Sequence, residues 1–289
     1  MSYSDLLRKV IANQVPESFL LDEYSGAVGA YSLRYLSSSY TDDVILVRRS
    51  SDDAEEGFTP TEITDGTLES FCGAGGGFVK TWYDQTGNNN DATQTTLGEQ
   101  PQIVNSGSLI IDNGNPSILF NNDRLLTPPY ITGTSARSFF IVHNQSNAGN
   151  SPGQRALLSL TNTGGSSGNG RGYRISKENG NLFLRVNQAS SWDYPSGITA
   201  TTYAIITNIW DGGGSQDADF WLNSIQLSYN SGTSVNLDTV DTGGHIIGWY
   251  DPSNFFYPGT MQEIIIYPID QTSNRLQIEN NQNDYYGVF

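Results

Sequence analysis

The second half of this chain is a succession of short apolar runs cut apart by turn residues, and that spacing leaves few folds open. Ser108 to Ile111 meets a turn at Asp112-Asn113-Gly114-Asn115, and Ser117 to Phe120 meets Asn121, Asn122 and Asp123. Phe139 to His143, Arg155 to Leu160, Tyr173 to Ser176, Leu182 to Val186 and Tyr203 to Trp210 continue the series. Ala218 to Leu222, Ile225 to Tyr229, His245 to Trp249 and Met261 to Tyr267 close it. Glu178-Asn179-Gly180-Asn181 is an Asn-Gly hairpin signal between two of these runs. Many short strands without long helices between them predict an all-β fold, an antiparallel β-sandwich. Composition agrees. The 31 glycines supply positive-φ turn positions, and aromatics at 11% point to a core of Tyr, Phe and Trp.

The first half is densest at Gly77 to Gln94, GFVKTWYDQTGNNNDATQ. It reads as a buried strand (Phe78, Val79, Trp82, Tyr83) running into a turn that Asp84 ties down from Gln85 to Asp91. Before it, Tyr24 to Leu36 carries a mixed apolar face that predicts a helix, and Val44 to Arg49 alternates like a strand. Arg48 and Arg49 stand beside Asp52 and Asp53, a pattern that most often forms local salt bridges. Thr67, Leu68, Phe71 and Cys72 predict one helical turn, with Cys72 a small buried residue rather than a nucleophile. The glycine run Gly73 to Gly77 lacks the lysine and following helix of a phosphate loop.

Residues 1 to 15 predict a helix capped by Ser4, with Leu6, Leu7, Val10 and Ile11 on one face until Pro16 stops it. This segment, 1–17, reads either as a helix packed on the flank of the sandwich at 18–289 or as an attachment segment for a larger assembly. At the other end, residues 270 to 285 predict a helix capped by Asp270, with Leu276 and Ile278 inward. The net charge of −16, from 14 basic and 30 acidic residues, argues against a nucleic-acid partner. It serves solubility, or supplies oxygen ligands for calcium at Asp84 to Asp91 or Asp112 to Asn115. Asx turns explain both stretches without a metal, so the reading is no cofactor, with calcium the exception. His143 and His245 lie far apart, and a zinc site is not supported. A single cysteine, the absence of a signal peptide and the absence of a long apolar run predict synthesis in a cytoplasm with no disulfide and no membrane insertion.

Several words in order carry a resemblance. AYSLRYL, VRRSSDDAEEGF, then FC, TWYDQTGNNNDATQ and QPQIV resemble the catalytic domain of the α-L-arabinofuranosidase B family across residues 24 to 104. One departure is that the fungal enzymes pair the cysteine after Phe with a second one, where this chain has Gly73 to Gly77. Further on, NPSILFNND and GHIIGWYDPSNFFYPGTMQEIIIY are similar to concanavalin A-like, laminin-G-like jelly rolls. Both resemblances imply one concanavalin A-like sandwich with short N-terminal and C-terminal helices. Similar segments occur in phage virion proteins.

Two functions follow as expectations. A retaining glycosidase needs two carboxyls about 5 to 5.5 Å apart, one with a raised pKa. The carboxylates available to that reading are Asp84, Asp219 (in Asp217-x-Asp219, where a turn-and-edge role is favoured) and Glu263, which stands alone on its strand in a solvent-facing or backbone-bonding role. Sugar recognition needs aromatic faces with hydrogen-bonding neighbours. Trp192, Asp193 and Tyr194, in a loop or at a strand end, and Tyr250 and Asp251 fit it, while Trp249 reads as core. The leading expectation is a phage virion subunit of fibre, tail or head-decoration type. It would bind other virion proteins through its N-terminal segment and a cell-surface glycan through its sandwich, as a homo-oligomer, by analogy a trimer. The alternative is a glycoside hydrolase or depolymerase resembling the arabinofuranosidases.

Overall fold

In the computed structural model the runs seen in the sequence pair antiparallel into two facing layers. The structure describes residues 18–145, 155–160, 173–178, 181–186, 191–195, 203–212, 218–228, 231–232, 244–250 and 255–289, so the helix expected over residues 1 to 15 lies outside the described residues. One layer runs from Ile225–Gln226 through Ala218–Leu222, Tyr203–Trp210, Arg137–Gln145 and Gly259–Tyr267 to Gly29–Ser32. The other starts at Glu55–Phe58 and passes through Ile45–Arg49, Gly77–Trp82, Ala92–Thr93, Leu125–Thr127 and His245–Ile247. It continues through Arg155–Ser159, Tyr173–Glu178, Asn181–Val186 and Ser191–Pro195 to Ser231–Gly232. Gln102–Asn105 and Ile118–Phe120 join the layers at one side.

Alternation explains what faces the centre. On Arg137–Gln145, Phe139 and Ile141 enter the main core with Trp82, Val79, Phe120, Ile264 and Ile266. Their neighbours Phe140 and Val142 point the other way. Gly259–Tyr267 behaves likewise, with Ile265 and Tyr267 outward. That outer face is also buried, under the helix Arg275–Tyr286 and the short helix Leu20–Glu23. A strand covered on both faces reads as an unbroken apolar run, which is what Ile264-Ile265-Ile266-Tyr267 is. Each such side chain contributes about 1.5–3 kcal/mol by its burial.

The segment predicted helical from Tyr24 to Leu36 is instead a strand, Gly29–Ser32, preceded by a helix that ends at Glu23. The reason is a partner far away in sequence: Ala30 and Tyr31 lie opposite Ile265 and Ile264. At the C-terminal helix, Asn274 and not Asp270 occupies the N-cap position. Asp270 closes the preceding turn, accepting from the Thr272 N–H at 2.7 Å. Ile278, Gln282 and Tyr286 face the sheet at helical spacing, which turns Leu276 to solvent at 46% exposure, against the sequence expectation. The Arg48–Asp53 and Arg49–Asp52 pairs and the helix Thr67–Cys72 form as the sequence predicts.

Gly29–Ser32 has the Gly259–Tyr267 strand on one side; on the other the Asp84 turn stands where a strand would lie. Asp84 Oδ1 accepts from the Ala30 N–H (2.9 Å), and the Gln85 N–H donates to the Ala30 carbonyl (2.9 Å). The Gln85 amide donates to the Ser32 and Arg34 carbonyls and accepts from the Leu36 N–H. Asn88 and Asn90 donate to the Ala27 and Val28 carbonyls. Asp84 also holds its own turn, through the N–H groups of Thr86 and Asn90 and the Thr86 hydroxyl. Four bonds to one buried carboxylate make Asp84→Ala costly. Hydrogen bonds to charged groups contribute about 1.5–3 kcal/mol each, and the loss is partly recovered by rearrangement. We expect urea denaturation of Asp84→Ala to show a loss of about 3 kcal/mol or more; a midpoint equal to wild type would refute the capping role.

Candidate functional site

The acids singled out in the sequence meet different fates. Asp84 is committed to the turn just described. Asp219 lies exposed on Ala218–Leu222 opposite Ile209 and accepts from the Gln226 amide at 3.1 Å, a role near the sheet edge. Glu263 is fully buried, not solvent-facing. A bulge between Val142 and His143 leaves Gln262 unopposed, so Met261 and Ile264 both face the core while Glu263 turns toward the C-terminal helix. There the carboxylate accepts from Ser32 Oγ (2.8 Å), Arg34 Nε (2.8 Å) and Nη2 (3.1 Å), Gln282 Nε2 (3.2 Å) and Tyr286 Oη (3.1 Å). The Arg34 guanidinium lies 4.6 Å from the Tyr285 ring centroid. This network fastens the helix to the sheet and leaves the carboxylate no free oxygen for a substrate. Glu263→Ala would strand the Arg34 charge, and denaturation should show a loss of about 3–5 kcal/mol; wild-type stability would refute the clamp.

Among the aromatic candidates, Trp192, Asp193 and Tyr194 lie inside the strand Ser191–Pro195, not in a loop. The hairpin partner Asn181–Val186 recruits them, with Leu184, Phe183 and Leu182 opposite. Tyr250 ends the two-residue strand Trp249–Tyr250, paired with Phe255–Phe256, and Asp251 lies outside the described residues. In both calcium stretches the carboxylates take part in hydrogen bonds, Asp91 through Oδ1 to the Asp84 N–H (2.9 Å). Asp84 is saturated, and Asp112 accepts from Asn144 and Thr260. Among the described residues no group of three or more His, Cys, Asp or Glu side chains could hold a metal ion. His245 is structural: Nε2 accepts the N–H groups of Tyr130 (3.0 Å) and Ile131 (3.1 Å), and Nδ1 donates to the Leu160 carbonyl. Cys72 is buried, and burial pushes its thiol up to about 11, so it is no nucleophile at neutral pH.

A carboxyl that sequence reasoning passed over lies in a turn that the strand bearing Trp249 packs against. Asp123 belongs to the turn between Ile118–Phe120 and Leu125–Thr127, where Asn122 adopts φ 68°. Gly248, at φ 86°, brings the Trp249 strand against this turn. A Cβ there would stand 2.4 Å from the Phe120 ring and 3.0 Å from the Asp123 carbonyl oxygen. Arg124 stacks on the Trp249 indole at 4.0 Å and pairs with Glu99 at 2.7 Å. Gln94 steadies Glu99 with a bond of 3.1 Å. Arg124 Nε is buried with no acceptor. Phe256 packs on the other flank of the indole, 5.5 Å between centroids.

Asp123, a half-buried acid, meets few donors: the Asn121 N–H at 2.8 Å is the partner described, as the Asp84 N–H is for the half-buried Asp91. Burial pushes its carboxyl up from 3.8 to about 6, with the Glu99 charge adding to the rise and the Asn121 bond opposing it. The cluster therefore combines a half-buried carboxyl that holds its proton to near neutrality, an aromatic face, and a cation stacked on that face. Such a carboxyl can donate a proton to a leaving oxygen; the indole itself is buried, with Arg124 and Phe256 packed on it, and belongs to the core as the sequence predicts.

No family model and no curated protein matches the chain. Solved structures do. A Glu→Gln mutant of a GH54 α-L-arabinofuranosidase soaked with 4-nitrophenyl α-L-arabinofuranoside superposes with a TM-score of 0.64 at 17% identity. A GH54 α-L-arabinofuranosidase soaked with a cyclic sulfate inhibitor gives 0.60 at 15%, and an arabinofuranosidase complexed with arabinofuranosyl-α-1,2-xylobiose gives 0.53 at 16%. Each covers 91% of this chain. The fold is that of the arabinofuranosidase sandwich. The chain spans 63% of the length of each of these proteins.

The raised carboxyl makes a pH prediction. Asp123 has a higher pKa folded than unfolded, so its favourable contribution is complete below about pH 3.8 and is lost as pH rises through about 6. Asp123→Asn should remove that loss. Thermal melts between pH 4 and 8 should show the variant gaining on wild type as pH rises through this window. Parallel curves would refute a desolvated carboxyl at this position.

Proposed function

We propose that this chain is a carbohydrate-active sandwich that cleaves arabinofuranosyl units from neutral glycans, with Asp123 as proton donor. The observation that carries the reading is the half-buried Asp123 carboxyl, pushed up to about 6 by burial, in the turn that the Gly248–Trp249 backbone packs against. The arabinofuranosidase sandwich extending over 91% of the chain supports it, as do the ordered words from Ala30 to Val104. Proton donation matters most where the leaving group is a poor one, such as a sugar alkoxide. Asp123→Asn should therefore slow release of arabinose from an arabino-oligosaccharide by about 10²–10⁴-fold. It should affect 4-nitrophenyl α-L-arabinofuranoside far less, because nitrophenolate leaves without a proton. No turnover of either substrate by wild type would overturn the reading.

A second reading has its own support. Asp84, Asp112 and Glu263 are all committed to structural hydrogen bonds, as a non-hydrolytic sandwich would require. On this reading the chain is a virion subunit, oligomeric, that recognises a host glycan without cutting it. Glycan binding without turnover, together with a trimeric mass by light scattering, would favour it.

A further inference from the structure

The capping turn also walls a cleft that neither reading has used. About 220 Å³ of space opens between the Asp84 turn and residues 21–40, with Leu21, Ser25, Ser39, Tyr40, Gln85 and Thr86 among its walls. It shares no residue with the Trp249 cluster. Drug-sized ligands take pockets of about 300–1,000 Å³, so a space this size suits one small ring. No charged side chain lines it, which selects a neutral occupant.

The walls are fixed from behind. Gln85 uses all its described bonds on the strand edge, as set out above. Thr86 Oγ1 donates to Asp84 (2.6 Å) and accepts from the Asn88 N–H (3.2 Å) and side-chain amide (2.9 Å). Ser37 Oγ donates to Asp22 (2.8 Å) and accepts from the Ser39 N–H (3.2 Å). With the Ser37 proton engaged on Asp22, the 2.9 Å contact between the two serine hydroxyls is donated by Ser39. Tyr40 donates its phenol proton to the Asp43 carbonyl at 2.7 Å. The oxygens of Ser39 and Tyr40, two of the lining residues, are thus left with acceptor capacity. Gly26 (φ 91°) and Gly87 (φ 80°) complete the wall, and a Cβ on either would meet no atom within 4 Å. Their lack of side chains keeps the opening clear.

A cleft lined by no charged side chain, with Leu21, a half-buried phenol and hydroxyl oxygens of unused acceptor capacity among its residues, asks for a neutral ligand that donates several hydrogen bonds. We propose that it seats one residue of a neutral sugar, whose hydroxyls donate to Ser39 Oγ and Tyr40 Oη. This holds whether or not the chain hydrolyses glycans.

Saturation-transfer NMR on the full chain tests it, with methyl α-L-arabinofuranoside and methyl β-D-galactopyranoside as neutral probes and putrescine as a cationic donor. Wild type should bind the galactoside with Kd on the order of 1 mM. Ser39→Phe, a change at an exposed position, should fill the cleft and abolish the galactoside signal while leaving the circular dichroism spectrum and melting temperature unchanged. Tyr40→Phe should weaken galactoside binding by about 2- to 10-fold, and Asp123→Asn should leave galactoside binding unaltered. Absence of galactoside binding by wild type, binding of putrescine alone, or galactoside binding that survives Ser39→Phe and falls with Asp123→Asn would overturn the proposal.

Discussion

The sandwich depends on how the edge of one strand is finished. Gly29–Ser32 pairs with Gly259–Tyr267 on one side only, and an open strand edge invites pairing with another chain. Here the open side is closed by side chains. Asp84, Gln85, Asn88 and Asn90 supply the donors and acceptors that a further strand would have supplied from its backbone. Amide and carboxylate side chains suit this work because they can reach backbone groups whose spacing no turn backbone could match. The Asp84 segment therefore binds the front of the chain, residues 27 to 36, to the strand that ends in Trp82 on the opposite layer. It links the two sheets by polar contacts where the core links them by apolar ones.

From that edge the rest of the first layer follows. Once Gly29–Ser32 is fixed, Ser32 lies opposite Glu263 and Arg34 comes within reach of the same carboxylate. The ion pair then has to be finished, because a buried carboxylate with unused acceptor capacity is costly. The helix Arg275–Tyr286 finishes it with Gln282 and Tyr286. The amphipathic sense of this helix is thus polar as well as apolar: its inner face carries Gln282 and Glu279 beside Ile278 and Tyr286. That is why a hydrophobic count alone oriented Leu276 wrongly.

Much of the fold was legible because its signals are local. Turn residues at fixed spacing marked the strands, and the Asp112 to Asn115 turn appears as a hairpin with Asn113 and Gly114 at positive φ. The Tyr24 to Leu36 segment was misread because its strand character comes from Ile264 to Ile266, some 230 positions on, while its Ala and Leu content favours a helix locally. Glu263 was read as solvent-facing or backbone-bonding, because no pattern on its strand reveals that a helix covers that face. Asp123 was hidden more thoroughly. In sequence it ends an Asn-Asn-Asp turn, and nothing there shows that Trp249 and Gly248 arrive from 125 residues away to exclude water.

What separates the acids of this protein is the number of donors each meets on burial. Glu263 meets five and Asp84 four, and these partners are themselves part of the fold. Asp123 is also partly withdrawn from water, yet Asn121 is the donor it meets among the described residues. Arg124 could have neutralised Asp123, but Glu99 already holds its guanidinium. A carboxyl desolvated without compensation holds its proton, and a held proton near neutral pH is what acid catalysis requires. The sandwich thus builds its stability from saturated acids on one set of contacts and leaves an unsaturated one at the Trp249 end. The same accounting that explains the fold also points to the place where chemistry is available.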